Sequence, residues 1–249
     1  MIDESNTVKK YMPKIFFQSI FIALLVLAGN SQAETPVVDA DELQSTEQHQ
    51  RATQIINHIL KSYHYKLTEL DDALSTEIFD NYLESLDPNR SYFTQADIDR
   101  FGKYRTRFDD MLREQRLEPV YEIFKVYRQR VKERIEFAKP LFDKEYDFTT
   151  DARYQYDRRE SPWAADQAEL DELWQKRVKN DILLLLIADK PADNISDTLT
   201  ERYERIATST FQLNADDVFQ TFINAYTTAI EPHTAYFSPR VSENFDISM

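Results

Sequence analysis

Apolar side chains recur at helical spacing along most of this chain. Between residues 71 and 86 they are three to five positions apart, and the same period returns over 119–138 and 163–188. A period near 3.6 residues is typical of amphipathic helices that bury one face. We therefore predict about seven helices, at roughly 47–63, 71–86, from 94 to beyond 112, 119–138, 163–188, 196–212 and 216–230.

Polar and proline residues mark where these helices begin and end. Ser45 and Gln48 have the spacing of a capping box, Pro88 stops the second helix, and Pro119 suits the first position of the fourth. Only residues 142–161 lack a helical period, and their aromatic and β-branched residues indicate a short irregular hairpin or extended loop. The predicted fold class is an all-α, multi-helix bundle with one irregular segment.

Two predicted helices carry specific expectations about burial. The run 182–187 is apolar on every side of its helix, so we expect the helix over 163–188 to be central in the bundle. The first helix should bury a single apolar face. That face consists of Ala52, Ile55, Ile56, Ile59, Leu60 and Tyr63.

Residues 78–93 and residues 222–237 carry one shared pattern. Each has an apolar helix, then an acidic residue and proline (Asp87-Pro88 and Glu231-Pro232), then three residues and Tyr-Phe. The pattern predicts that the chain turns at the proline and folds the two aromatic residues back onto the helix end. Chance similarity is the alternative, since helices often end in this way.

The composition supports the helical prediction and excludes several classes of enzyme. The 249 residues include only two glycines, Gly29 and Gly102, and no cysteine. Phosphate-binding loops, nucleophile elbows and tight β-turns all need glycine. Dinucleotide-binding folds, P-loop proteins and most hydrolase folds are therefore excluded, and no disulfide can form.

The charge pattern bears on partners. A net charge of −14 would repel a phosphate backbone, so we expect no nucleic acid partner. Residues 113–139 are nonetheless locally basic. A solvated helix with ion pairs between neighbouring turns explains this, and a docking edge for another domain or an acidic partner is the alternative. The candidate docking residues on this helix are Arg128, Arg130, Lys132 and Arg134.

The first 33 residues are typical of a secretory signal peptide. Lys9, Lys10 and Lys14 precede an apolar stretch over 15–28, and small residues lead up to a cleavage site after Ala33. The stretch is shorter than the ~20 apolar residues that a membrane span needs, so we expect no stable membrane anchor. The mature chain would begin with a polar, flexible leader over residues 34–44.

No catalytic, cofactor or metal site is predicted. The histidines (His49, His58, His64 and His233) form no metal-binding spacing, and we interpret His58 and His64 as residues at a helix edge. The chain has no S-x-x-K or G-x-S-x-G motif. A hydrolase acting through paired carboxylates is disfavoured, because adjacent acids on a helix point in different directions.

Four segments resemble a known family. They are Leu86-Asp-Pro-Asn-Arg-Ser-Tyr-Phe-Thr-Gln-Ala-Asp-Ile98, Ser161-Pro-Trp163, Leu173-Trp-Gln-Lys-Arg-Val178, and Asp217-Val-Phe-Gln220 leading to residues 228–240. In this order they are similar to the N-terminal domain of the tail-specific proteases, which are periplasmic C-terminal processing peptidases of Gram-negative bacteria. The resemblance covers residues 45–240.

The resemblance implies a non-catalytic role. In that family the helical domain precedes a PDZ domain and a protease domain with a Ser–Lys dyad, and no residue here matches that dyad. We therefore expect an inactive scaffold or docking domain, truncated or split near a link at 241–249, in the periplasm. Its implied partners are the PDZ and protease domains, in cis or in trans, and a helical-repeat lipoprotein adaptor.

The alternative to a protease fragment is a free-standing periplasmic adaptor that binds proteins by a groove or a helix face. Under either interpretation the C-terminal aromatic residues are candidate docking residues. We expect residues 232–237 to pack onto the preceding helix and the chain beyond Pro239 to fray. The C-terminal candidate docking residues are Tyr236, Phe237 and Phe245.

Overall fold

The computed structural model describes residues 37–239. Within that range it contains eight α-helices and no β-strand, and a bridge between Thr94 and Ala164 stands alone. The predicted all-α class is confirmed, with one helix more than expected. The predicted signal peptide and the link at 241–249 lie outside the described residues. The helices are α1 (Glu47–Ser62), α2 (Asp72–Leu86), α3 (Gln95–Phe101), α4 (Phe108–Glu114), α5 (Glu118–Ala138), α6 (Gln167–Ile187), α7 (Ile195–Phe211) and α8 (Ala215–Ile230).

Helices α2 and α8 lie at the centre of a first hydrophobic cluster. The Tyr82 ring meets the Phe222 ring edge-on, with centroids 5.5 Å apart, and Asn81 Nδ2 donates to the Ala225 carbonyl. These residues come from the two segments that share a pattern, so the similar segments pack against each other. The large apolar residues that recur at helical spacing in α2 are all buried: Leu74, Ile78, Phe79, Tyr82, Leu83 and Leu86.

A second hydrophobic cluster lies between the C-terminal half of α5 and helices α6 and α7. The Trp174 side chain is fully buried there and contacts the Tyr203 ring at 6.0 Å. The Tyr203 hydroxyl donates to Asp181 Oδ2 at 2.7 Å. The irregular segment over 142–161 follows a short 3-10 helix at Lys139–Leu141 and is an extended loop rather than a hairpin.

The helix predicted from Thr94 to beyond Leu112 is broken into α3 and α4. The buried Ser75 of α2 holds the break, because its hydroxyl donates to the Arg105 carbonyl and accepts from the Phe108 N–H. Both backbone groups would have bonded within a continuous helix. The break therefore follows from a tertiary contact that the local pattern does not contain.

Helix α1 differs from its prediction in two ways. The capping box is formed by Thr46 and His49, one position beyond Ser45 and Gln48. Half of the expected apolar face is also exposed, at 59% for Ile55, 48% for Ile59 and 76% for Tyr63. The inward side is instead formed by His49, Thr53 and Leu60, since contacts of His49 with α5 and α8 set the rotation of the helix.

Two further expectations about burial are wrong. Helix α6 buries one stripe, from Leu170 to Ile182, and ends in exposed residues: Leu184 is 52% exposed and Ile187 is 70% exposed. It is not a central helix, because it extends past the second cluster. Within the expected flexible leader, residues 37–44 are held against the domain. Leu43 is fully buried and the Val38 N–H donates to the Phe211 carbonyl.

Candidate docking surfaces

Three of the four segments that resemble the family meet at one place in the fold. The buried Asp87 carboxylate accepts hydrogen bonds from the backbone N–H groups of Ser91, Tyr92 and Phe93, at 2.8, 2.8 and 3.0 Å. Burial raises the pKa of the Asp87 carboxyl, and these hydrogen bonds only partly offset that effect. The carboxylate therefore organises the turn after α2 and has no free oxygen to offer a substrate.

Two other segments pack onto this turn. Arg90 has a left-handed φ of 48°, and its guanidinium lies 5.3 Å above the Trp163 ring while donating to the Ser161 carbonyl. From α6, Trp174 Nε1 donates to the Ser91 carbonyl at 2.6 Å. Three of the four segments are therefore joined by direct contacts.

This junction connects the two hydrophobic clusters. Phe93 belongs to the first cluster and its neighbour Tyr92 to the second, and Tyr127 of α5 packs against both. The residues that carry the family resemblance thus stabilise the fold.

The basic helix predicted as a docking edge is α5, and three of its four candidate residues bind within the domain. Arg130 forms a bidentate pair with Asp97, at 2.8 and 2.9 Å. Arg134 is buried, and its guanidinium donates a hydrogen bond to the Asp171 carboxylate of α6. Such pairs hold α5 against its neighbours.

The other two candidates on α5 are placed differently. The buried Arg128 donates to the Val38 carbonyl and stacks on the Phe211 ring at 4.3 Å. Lys132 is exposed, with Glu136 3.9 Å away. Of the four side chains only Lys132 is open to a partner, and a docking role for this helix stays a prediction.

The C-terminal aromatic residues are also split between the interior and the surface. The Tyr236 ring contacts the Phe219 ring of α8 at 5.7 Å, and its N–H donates to Asn224 Oδ1. Phe237 is 58% exposed. Residues 232–238 therefore run back along α8, as predicted, but only one of the two aromatic residues packs inward. Phe245 lies outside the described residues.

His49, to which the sequence pattern assigned no role, is buried between three helices. The Thr46 N–H donates to its Nδ1 at 3.2 Å, so Nε2 carries the proton and donates to Asp216 Oδ1 at 2.7 Å. The Tyr121 hydroxyl is 3.0 Å from the same Nδ1. The ring thus links α1 to α5 and α8. Its position three residues after Thr46, in a capping box, was the available signal.

Within residues 37–239 no group of three or more acidic or histidine side chains is placed to hold a metal ion. A cleft of about 560 Å³ lies between α1, α4 and the end of α8. Lys61, Lys66, Glu69 and Arg113 are among its lining residues, and neither serine nor histidine is. In the part of the chain that the structure covers, no helix is both long and apolar enough to cross a membrane.

Two groups of exposed apolar side chains stand out on the surface. Large exposed apolar patches mark interaction sites in soluble proteins. We call the two groups of this protein the α1 surface and the α6 tip. The α1 surface consists of Ile55, Ile59, Tyr63, Tyr65 and Leu67, and the α6 tip consists of Leu183, Leu184, Leu186 and Ile187.

Comparisons with known proteins agree with the resemblance seen in the sequence. A family model described as the tail specific protease N-terminal domain matches residues 55–240. A curated relative, the tail-specific protease of Haemophilus influenzae, is 37% identical over 205 residues. The aligned part covers 82% of this chain and 30% of the relative. The chain thus spans less than a third of the length of that relative.

Proposed function

The chain belongs to the family of tail-specific protease N-terminal domains, and from that premise we propose that it is a non-catalytic scaffold on which the other domains of such a protease dock. The observation that carries the proposal is the exposure of apolar side chains on an otherwise well-packed domain. Tyr63 and Ile187 are 76% and 70% exposed, while the two hydrophobic clusters consist of buried side chains. Removing exposed apolar area of this kind from water lowers the free energy, so these side chains favour the binding of a partner.

The proposal includes partners and a location. The PDZ and protease domains of the family are the first partners, and a helical-repeat lipoprotein adaptor is a further one. The place of action is the periplasm, after cleavage near Ala33. The lysine-rich start and apolar stretch of the first 33 residues support export.

The test is a chimaera in which this chain replaces the aligned N-terminal part of the Haemophilus protease. Hydrolysis of an unstructured peptide tail is measured for the chimaera, for the 249-residue chain alone and for the unaltered Haemophilus protein. We expect activity from the chimaera and none from the chain alone. An inactive, well-folded chimaera would contradict the scaffold role and favour a free-standing adaptor. Hydrolysis by the chain alone, above a contaminant control, would contradict its non-catalytic character.

A further inference from the structure

One side of α1 is apolar without being covered by the domain. Ile55, Ile59 and Tyr63 follow one another at intervals of four residues, so they line one side of the helix and its end. Their exposed fractions are 59%, 48% and 76%. The cleft-lining residues Gln54 and Lys61 lie on another side of the same helix. The apolar side is therefore a separate surface.

The loop after α1 extends this surface and is held in place. Tyr65 and Leu67 are 79% and 76% exposed. His64 precedes Tyr65, and its Nε2 lies 3.0 Å from Thr234 Oγ1. Lys66 lies between Tyr65 and Leu67, and its Nζ donates to the Ile230 carbonyl at 2.6 Å. Side chains that are already ordered lose less entropy on binding. The apolar residues are thus presented by a fixed backbone.

Those two hydrogen bonds also place the surface beside the path of the chain. They join the loop to residues 230–234, from which the chain runs to Ser238, whose N–H donates to Gln220 Oε1. In the Haemophilus relative, the aligned region is only 30% of the protein. A domain tethered nearby has an effective concentration in the millimolar range, so weak apolar contacts suffice to hold it.

We propose that the α1 surface is the docking site for the part of the protease that follows this domain in the longer relative. This inference rests on the proposed function and assigns that function to one surface. The face that docks on it is therefore apolar. The α6 tip, on a helix of the second cluster, is not this site.

Hydrogen exchange of the same residues in two molecules tests the inference. In the chimaera, amide exchange over residues 55–67 should be slower than in the 249-residue chain by about tenfold or more. The docked domain must first move away from these amides before they can exchange. Exchange over 183–187 should stay within about twofold. Changing both Ile59→Glu and Tyr63→Glu in the chimaera should restore fast exchange over 64–67. The matched control, Leu184→Glu with Ile187→Glu, should leave the protection intact.

Each other outcome overturns a different statement. Protection at the α6 tip alone would overturn the assignment of the surface and leave the scaffold role standing. No new protection anywhere in the domain would contradict the scaffold role itself. Protection of residues 55–67 in the isolated chain that grows with protein concentration would identify a second copy of this chain as the occupant. It would thereby overturn the inference.

Discussion

At the scale of single residues, buried polar side chains define the turns and helix contacts of this domain. Asp87 receives three backbone N–H groups, Ser75 holds the break between α3 and α4, and His49 links three helices. A buried donor or acceptor without a partner costs about 1–3 kcal/mol, so such residues are hard to replace. Their partners are distant in sequence or lie in irregular turns, and spacing alone therefore does not predict them.

Asp87 and Glu231 allow a matched comparison, because they occupy equivalent places in the two similar segments. Asp87→Ala leaves three buried N–H groups unpaired, so we expect the free energy of unfolding to fall by about 3 kcal/mol or more. Glu231 accepts from the exposed His233 N–H, and Glu231→Ala should cost below about 1 kcal/mol. Urea unfolding followed by tryptophan fluorescence measures both. Equal losses would show that the Asp87 turn is not the stronger of the two.

The Asp97–Arg130 pair predicts a loss of stability in acid. Burial acts to raise the pKa of the Asp97 carboxyl, but hydrogen bonds from Arg130 and Thr94 outweigh burial and keep that pKa below its ordinary value. A lowered folded-state pKa stabilises the protein above the ordinary pKa of about 3.9, and the effect is lost as the pH falls through the folded-state value.

Asp97→Asn removes this dependence and tests it. Between about pH 5 and pH 2 the free energy of unfolding should decline less steeply in the variant than in the unaltered protein, as measured by urea titrations at each pH. Asp80→Asn, at an exposed pair with Arg105, serves as the control and should leave the slope unchanged. Parallel slopes for Asp97→Asn and the unaltered protein would refute the assignment.

At the scale of elements, helix positions follow from the sequence more reliably than the faces they bury. The large apolar residues of α2 follow the helical period and are all buried within this domain, whereas its buried Ser75 does not follow from that period. Half of the predicted apolar face of α1 and the apolar end of α6 were assigned to the core and are exposed instead. A hydrophobic period reports that a face is to be covered, and it does not report whether this chain or another covers it.

The break between α3 and α4 leads to a prediction about Gly102. Its φ of −51° and ψ of −28° are right-handed helical, and an added Cβ would meet no atom within 4 Å. Gly102→Ala should therefore raise the free energy of unfolding by about 0.4–1 kcal/mol, since the unfolded chain loses freedom. Thermal and urea unfolding measure the change. A decrease would mean that the break depends on glycine rather than on Ser75.

At the scale of the whole molecule, the sequence predicted an all-α bundle and its family, but not its division into two clusters. That division depends on Tyr92 and Phe93, which are adjacent in sequence and pack in opposite directions. The surroundings of the candidate docking residues could not be predicted from charge alone. Charge along α5 suggested a docking edge, whereas Arg128, Arg130 and Arg134 bind inside the domain. Local charge cannot distinguish a solvated cation from one paired with a distant helix.

The pairing of α2 with α8 constrains the order in which the domain forms. Asn81 and its partner Ala225 are 144 residues apart, and ribosomes add about 5–20 residues per second. The apolar side of α2 is thus synthesised about 7–30 s before the α8 residues that cover it, although an isolated helix forms in about a microsecond. Synthesis, rather than helix formation, sets the earliest time at which the centre of this domain can close, and throughout that interval the nascent chain is unfinished and accessible to chaperones.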